Sequence, residues 1–324
     1  MLGVGAMFLL MLAAMPAVRA SSATTEAEAA GGGRWPTLVN VTFPLRLAVE
    51  PACGSLAATG NATRFAEVNA GLVLGATRTV VAFGDSWTSN GANGTVPVPP
   101  VLWPPSPSAG SRLTENRRAS NGFIWVENMA NALGAKLLNY AWGGAVIDNA
   151  AYNTTNPAVG GTPRTDFIAE TRLFMQQGKF LDALVPSETL YTVAFGINDD
   201  GQFELGGGDY DIAYETYVGK LGELQAAGAK NILVHGMYKS HAGTDALQDR
   251  VFAYLREARA TNGTNVAFVD LHRLFGAILD DPGAFGVGGC DDPSVEVFWI
   301  RHPSATTHEL ISLYTMRVLE VCAS

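Results

Sequence analysis

Five short apolar runs constrain this chain more than any other feature. Thr79–Phe83, Lys136–Ala141, Leu190–Phe195, Asn231–Met237 and Val266–Leu271 lack the in-and-out alternation of a half-exposed strand. A strand of that kind must be covered on both faces, which is the condition of a parallel sheet between helices. Segments of helical character separate them: Gly122–Leu133, Thr165–Gln177, Asp211–Ala227 and Ala246–Ala260, with a last helix from about Thr306 to Val321. In the third, Tyr214, Tyr217, Val218, Leu221 and Leu224 share one face, and Gly228 supplies the stop. Strands alternating with helices make βαβ units. The expected fold is therefore α/β, a three-layer α/β/α sandwich with a five-stranded parallel sheet. It forms one domain over residues 35–324, in which residues 35–78 either cap the sheet or extend it. A site in such a fold lies beyond the carboxyl ends of the strands, near a topological switch point. Gly84, Gly143, Gly144 and Gly196 each follow a strand and mark that edge. A Pro- and Trp-rich stretch at 93–110 reads as a long loop walling a cleft there.

Composition narrows the partners. Charged residues are 16% of the chain against an average of about 25%, and 48% is hydrophobic, so most of the chain can build a core. The net charge is −9 and no Lys/Arg cluster stands out, which argues against a nucleic-acid surface. Residues 1–20 carry an apolar run from Met7 to Ala14, with Val18 and Ala20 before a possible cut at Ser21. That pattern is a signal peptide; the run is too short for a stable membrane anchor. Residues 21–34 read as a disordered N-terminus. Sequons at Asn40, Asn61, Asn93, Asn153 and Asn262 point to a glycosylated, secreted, extracellular protein. Cysteines would then meet an oxidising compartment. Cys290 and Cys322 flank the last helix and are the expected pair, with Cys53 joined to either as the open alternative.

The strand ends hold the residues that could do chemistry. The first run leads into Gly84-Asp85-Ser86-Trp87, placing a serine hydroxyl at the sheet edge, where it needs a base to become a nucleophile. The second leads to Gly143-Gly144, where a backbone N–H can approach a ligand closely. The third leads to Gly196-Ile197-Asn198-Asp199, and the Asn198 amide is a neutral donor suited to a developing oxyanion. His302, before Pro303 and the last helix, can fold back as general base. Asp85 and Asp199 read as loop braces, and Asp270 as a helix-start residue. His235, His241, His272 and His308 read mostly as surface or cap residues, with His235 nearest the active edge. Trp87, Trp103 and Trp142 suit either sugar stacking or pocket packing.

In order and spacing these blocks resemble the SGNH hydrolases, also called GDSL esterases and lipases. The blocks are FGDSWT (Phe83–Thr88), NYAWGGA (Asn139–Ala145), GIND (Gly196–Asp199) and HPS (His302–Ser304). The resemblance implies a flavodoxin-like sheet, Ser86 as nucleophile and His302 as base. The oxyanion hole would be formed by the Ser86 and Gly144 N–H groups and the Asn198 amide, with no cofactor and no metal. The secreted, glycosylated form with a C-terminal cysteine looks most like fungal carbohydrate esterases of family 16. That implies acetylesterase activity on a small-molecule or oligosaccharide ester. The other readings are a lipase on longer acyl chains and a catalytically weak carbohydrate- or cell-wall-binding relative. No G-x-S-x-G elbow of an α/β-hydrolase occurs.

One departure from the family stands out. An Asp usually lies three residues before the His, and here that residue is Trp299. A main-chain carbonyl near Trp299 could orient His302, fixing the tautomer but stabilising imidazolium less than a carboxylate would. Asp291, Asp292 or Glu296, from the same loop, are the alternatives.

Overall fold

The computed structural model describes residues 45–56, 65–90, 118–153, 165–176, 182–239, 241–287, 297–299 and 301–323. The expectations for residues 1–34, Asn40, Asn61, Asn93, the 93–110 loop, Trp103, Cys290, Asp291, Asp292 and Glu296 lie outside them.

Six strands form the main sheet: β1 (Val68–Ala70), β2 (Thr79–Gly84), β3 (Lys136–Asn139), β4 (Thr189–Ala194), β5 (Asn231–His235) and β6 (Asn265–Val269). Their spatial order is β1-β6-β5-β4-β2-β3. All neighbours pair in parallel except β1, which runs antiparallel to β6. The sheet thus has one strand more than expected, and part of the 35–78 segment extends it.

Alternate residues of each strand feed two cores. Val81, Phe83, Tyr191, Val193, Ile232 and Val234 pack toward α2 (Phe167–Met175), α4 (Tyr210–Ala226) and α5 (Ala242–Asn262). Val80, Ala82, Leu190, Leu233, Ala267 and Val269 pack toward α1 (Trp125–Leu133), α6 (Leu271–Asp280) and α7 (Ala305–Val321). Apolar residues at both parities are what make the strands read as continuous hydrophobic runs. One further helix, α3 (Ile197–Gly206), follows β4 directly. Asp270 caps α6 by accepting from His272 N, as its position suggested. Among the described residues no helix is long and apolar enough to cross a membrane.

The expected Cys290–Cys322 disulfide is replaced by Cys53–Cys322. The reason is the unexpected edge strand. Asn69 N in β1 donates to Cys322 O, and Gly54 N donates to Glu67 O, at 2.9 Å. The N-terminal segment is thereby laid along β1 beside the end of α7, with the two cysteine Cα atoms 5.1 Å apart. Such a cross-link closes a very long loop and constrains the unfolded chain by about 5–6 kcal/mol in the chain-entropy model.

Candidate active site

The sheet order reverses at β2, whose neighbours are β3 on one side and β4 on the other. Loops leaving β2, β3 and β4 therefore converge at one crevice, where an α/β sheet binds its ligand. Ser86 lies in the turn after β2, Gly144 in the turn after β3, and Asn198 in the first turn of α3. His302 stands in β8 (His302–Pro303), which pairs with β7 (Phe298–Trp299) just before α7. Its Nε2 is 2.9 Å from Ser86 Oγ, although 216 residues separate the two in sequence. Both side chains are half-buried, so the pair is reachable but partly shielded from water.

The turns are close-fitted. Gly84 has φ +153°, and a Cβ there would lie 2.5 Å from the Ala194 carbonyl oxygen, so no side chain fits where β2 ends against β4. Gly196, with φ +130°, packs equally close to Met237, whose Sδ would lie 2.6 Å from a Cβ. The Asn198 side chain is fixed by donating from Nδ2 to Ala145 O at 2.9 Å, beside Gly144. A primary amide carries two N–H groups, so one remains for a ligand.

Buried carboxylates lock these turns together. Glu170, on α2 and fully buried, accepts from Gly84 N at 2.9 Å and from Trp142 N at 3.1 Å. It joins the nucleophile turn to the Gly143-Gly144 turn. Burial pushes its carboxyl well above the ordinary range, against the opposing pull of those two N–H bonds. Asp199 accepts from Ile147 N (2.9 Å) and Tyr152 Oη–H (2.7 Å), fastening α3 to the same loop. Asp85 accepts from Trp87 N at 2.9 Å. Burial lifts it to about 7, with nearby Asp199 adding to the rise. Asn139 completes the lacing, donating to Thr88 O and accepting from Ala141 N. Asp85 and Asp199 thus act as the braces their positions suggested. Sequence reasoning missed Glu170, which reads there as one more charged position on a helix.

The hairpin carrying His302 is held differently. Ser304 N donates to Val297 O at 3.0 Å, Thr307 Oγ1–H donates to Val297 O at 2.7 Å, and Ala305 N donates to Asn121 Oδ1 at 2.7 Å. Arg301, immediately before His302, has φ +67°, a left-handed conformation that costs a non-glycine residue on the order of 1 kcal/mol. Trp299 lies directly opposite His302 in the antiparallel register.

Two histidines differ from expectation. His308 is fully buried, accepting from Trp125 N at 3.3 Å, and is lowered to about 3 by burial, with the proximity of His302 and Arg118 disfavouring its charged form further. His235 is buried against the Trp125 ring at 4.1 Å and bonds Thr315 Oγ1 at 2.9 Å. Burial lowers it to about 3. Both are core residues because α7 crosses the sheet beneath the active edge. Trp87 packs on Tyr238 and Phe275, with ring centroids 4.7 and 5.3 Å away, and Trp142 is buried, so both serve packing. Asp200, Glu204 and His241 approach one another in the manner of metal ligands. Lys239 Nζ, 3.1 Å from Asp200 Oδ2, already supplies the positive charge there.

Residues 80–314 match the family model of the GDSL-like lipase/acylhydrolases. The chain belongs to that family. Its members are the SGNH hydrolases, carboxylic ester hydrolases built on this sheet. Among individual proteins, the chain is 24% identical over 237 residues to the thermolabile hemolysin of Vibrio parahaemolyticus, covering 60% of this chain and 54% of that protein. It therefore spans about half the length of that relative. A family two carbohydrate esterase from Clostridium thermocellum, solved with cellohexaose, is 18% identical with a TM-score of 0.43, covering 75% of this chain and 63% of the other. One from Corynascus thermopiles (Myceliophthora fergusii), with a carbohydrate-binding domain, is also 18% identical with a TM-score of 0.45, over 74% and 65% of the two chains.

Proposed function

We propose that this SGNH hydrolase is a secreted serine esterase that removes short, acetyl-type acyl groups from carbohydrates through Ser86 and His302. The observation that carries the reading is the 2.9 Å contact between His302 Nε2 and Ser86 Oγ at the switch point of the sheet. His302 takes the hydroxyl proton as the serine oxygen attacks the ester carbonyl. The carbonyl oxygen gains the negative charge, and the Ser86 and Gly144 N–H groups and the free N–H of the Asn198 amide receive it. As the tetrahedral species collapses, the alcohol leaves with the proton from His302. Water, deprotonated by the same imidazole, then releases the acid and regenerates Ser86.

The Trp299 main chain orients His302 in this reading, supported by its place across the hairpin. Asp292→Asn and Glu296→Gln test that role, since a drop in activity as deep as that of His302→Ala would transfer it to a carboxylate. A short acyl group is what the family 16 resemblance implies, and a small cavity under the nucleophile turn, lined by neighbours of Ser86 and Asn198 but by neither of them, is compatible with it in size. Asp85, Trp87, Ile197 and Tyr238 line it, and at about 20 Å³ it has room for little more than a methyl group or a water. The carbohydrate part rests on the likeness of a secreted, glycosylated form with a C-terminal cysteine to family 16 esterases. Secretion is supported by the signal-like N-terminus and by the exposure of Asn153 and Asn262, the two sequon asparagines within the described residues.

The deciding experiment is a panel of p-nitrophenyl acetate, butyrate and palmitate with wild type and Ser86→Ala. Acetate hydrolysis abolished in the variant is expected, and equal hydrolysis by both proteins would sink the assignment. A lipase on longer chains is the second reading, favoured by Phe203 and Leu205, 38% and 67% exposed on α3 just beyond Asn198. Palmitate outpacing acetate would select it.

A further inference from the structure

We propose that a second, polar cleft beside the ester site, at the carboxyl ends of β5 and β6, binds a hydroxyl-rich sugar ring of the substrate's alcohol portion. The proposal deepens the carbohydrate-ester reading and rests on it.

The cleft has a volume of about 80 Å³, four times that of the apolar cavity under the nucleophile turn. At roughly 10–15 Å³ per water centre, the smaller cavity takes one or two atoms and the larger a polar ring or the several waters it displaces. The linings differ in kind as well. Phe65, Lys239, Asp245, Asp270 and His272 surround the larger space. Carboxylates accept from hydroxyls, an ammonium donates to ring and hydroxyl oxygens, and imidazole does either. Two acids against one lysine leave the lining slightly negative, which repels a phosphate or a carboxylate and suits a neutral polyol. Phe65 offers an apolar face for the C–H side of a pyranose, and its ring is steadied by Phe268, with centroids 5.1 Å apart.

Position ties this cleft to the reacting centre. Met237 lines both cavities and packs against Gly196, two residues before Asn198. Lys239 reaches across to Asp200, two residues after Asn198, at 3.1 Å. A sugar seated here would touch the wall that supports the oxyanion helix while its ester reaches toward Ser86. The acyl group and the alcohol then occupy separate spaces, small and apolar against larger and polar.

The test is binding without turnover. Full-length Ser86→Ala is titrated calorimetrically with xylotetraose and, separately, cellotetraose. Binding of either is expected, weakened at least fivefold by His272→Ala at the exposed rim and by Asp245→Asn deeper in, each checked for native circular dichroism. Because Asp245→Asn could disturb the start of α5, His272→Ala decides if the former is misfolded. No binding of either sugar, or binding that His272→Ala leaves unchanged, overturns the proposal. Failure of the esterase reading shows separately, as wild type inert toward p-nitrophenyl acetate, because the titration needs no hydrolysis.

Discussion

The two halves of the candidate site are anchored by opposite means. Ser86, Gly144 and Asn198 ride on loops laced by buried side chains: Glu170 across two strand ends, Asp199 to Ile147, and Asn139 to Thr88. His302 rides on a two-residue strand held mainly by its own backbone and by the first turn of α7. The first arrangement buries carboxyl groups on backbone N–H donors, where desolvation opposes stability and the bonds give rigidity. The second is cheap and local. Damage to the lacing should therefore cost folding and catalysis together, and damage to the hairpin mainly catalysis.

The largest effects separate chemistry from architecture. Ser86→Ala and His302→Ala are each expected to lower kcat by about 10⁴-fold or more with an unchanged melting temperature. A melting shift as large as that of a lacing variant would show that the hairpin is structural after all. Next comes Asn198→Ala, expected to cost about 10²–10³-fold in kcat with a smaller change in KM, as for loss of one oxyanion donor. Equal losses in acetate binding and turnover would remove Asn198 from that role.

The lacing itself is broken by Glu170→Ala. Two backbone N–H groups would lose the buried carboxylate they donate to, and a cavity would open beneath them. Urea unfolding should show a loss of about 3 kcal/mol, with kcat falling in parallel. Glu170→Gln, keeping one carbonyl acceptor, should recover part of both. A stability loss with full activity in the folded fraction would uncouple lacing from catalysis.

Legibility in the sequence followed the same division. Strands β2 to β6 were readable because burial on both faces leaves them mostly apolar at both parities, and the strand-end motifs were readable because they are local. Three-residue β1 was not, since Val68-Asn69-Ala70 has no pattern of its own and exists through pairing with β6. The Cys53–Cys322 link depends on it and was hidden with it. Helix α3 was missed because Ile197–Gly206 carries two aspartates and two glycines and no apolar stripe. Helix α6 does have one, in Leu271, Leu274, Phe275 and Ile278, but Leu271 read as the end of the fifth strand. Glu170 and the buried histidines carry no local signal, because only the packing of α2 and α7 on the sheet gives them partners.

Buried acids also predict a pH signature for the lacing. Asp85 is lifted to about 7 by burial, so between about pH 4 and 7 the folded chain holds a proton that the unfolded chain has released. That contribution is present below the unfolded value and is lost as pH rises through 7. His235 and His308, lowered to about 3, oppose it, since the unfolded chain gains their protons as pH falls below about 6.5. Asp85→Asn isolates the acid. From pH 5 to 7.5 its stability should gain on wild type by about 2 kcal/mol. A difference that stays flat with pH would mean that Asp85 is ionised in the folded protein throughout.

The smallest effect bears on the hairpin. Asn121 Oδ1 accepts from Ala305 N, 2.7 Å away, in the first turn of α7. That N–H is one of the donors a helix start leaves without an internal partner. Asn121→Ala removes the acceptor where Ser304 still caps Thr307 N, so the helix persists and the loss is about 1 kcal/mol. Its leverage on chemistry is greater than its energy, because Ala305 is three residues from His302 and the base must stay within hydrogen-bond reach of Ser86 Oγ. A severalfold fall in kcat, at a stability cost a third of that of Glu170→Ala, is the expected outcome. If instead the two variants fall on one line of activity against stability, both halves of the site share a single rigid frame and the contrast between lacing and hairpin dissolves.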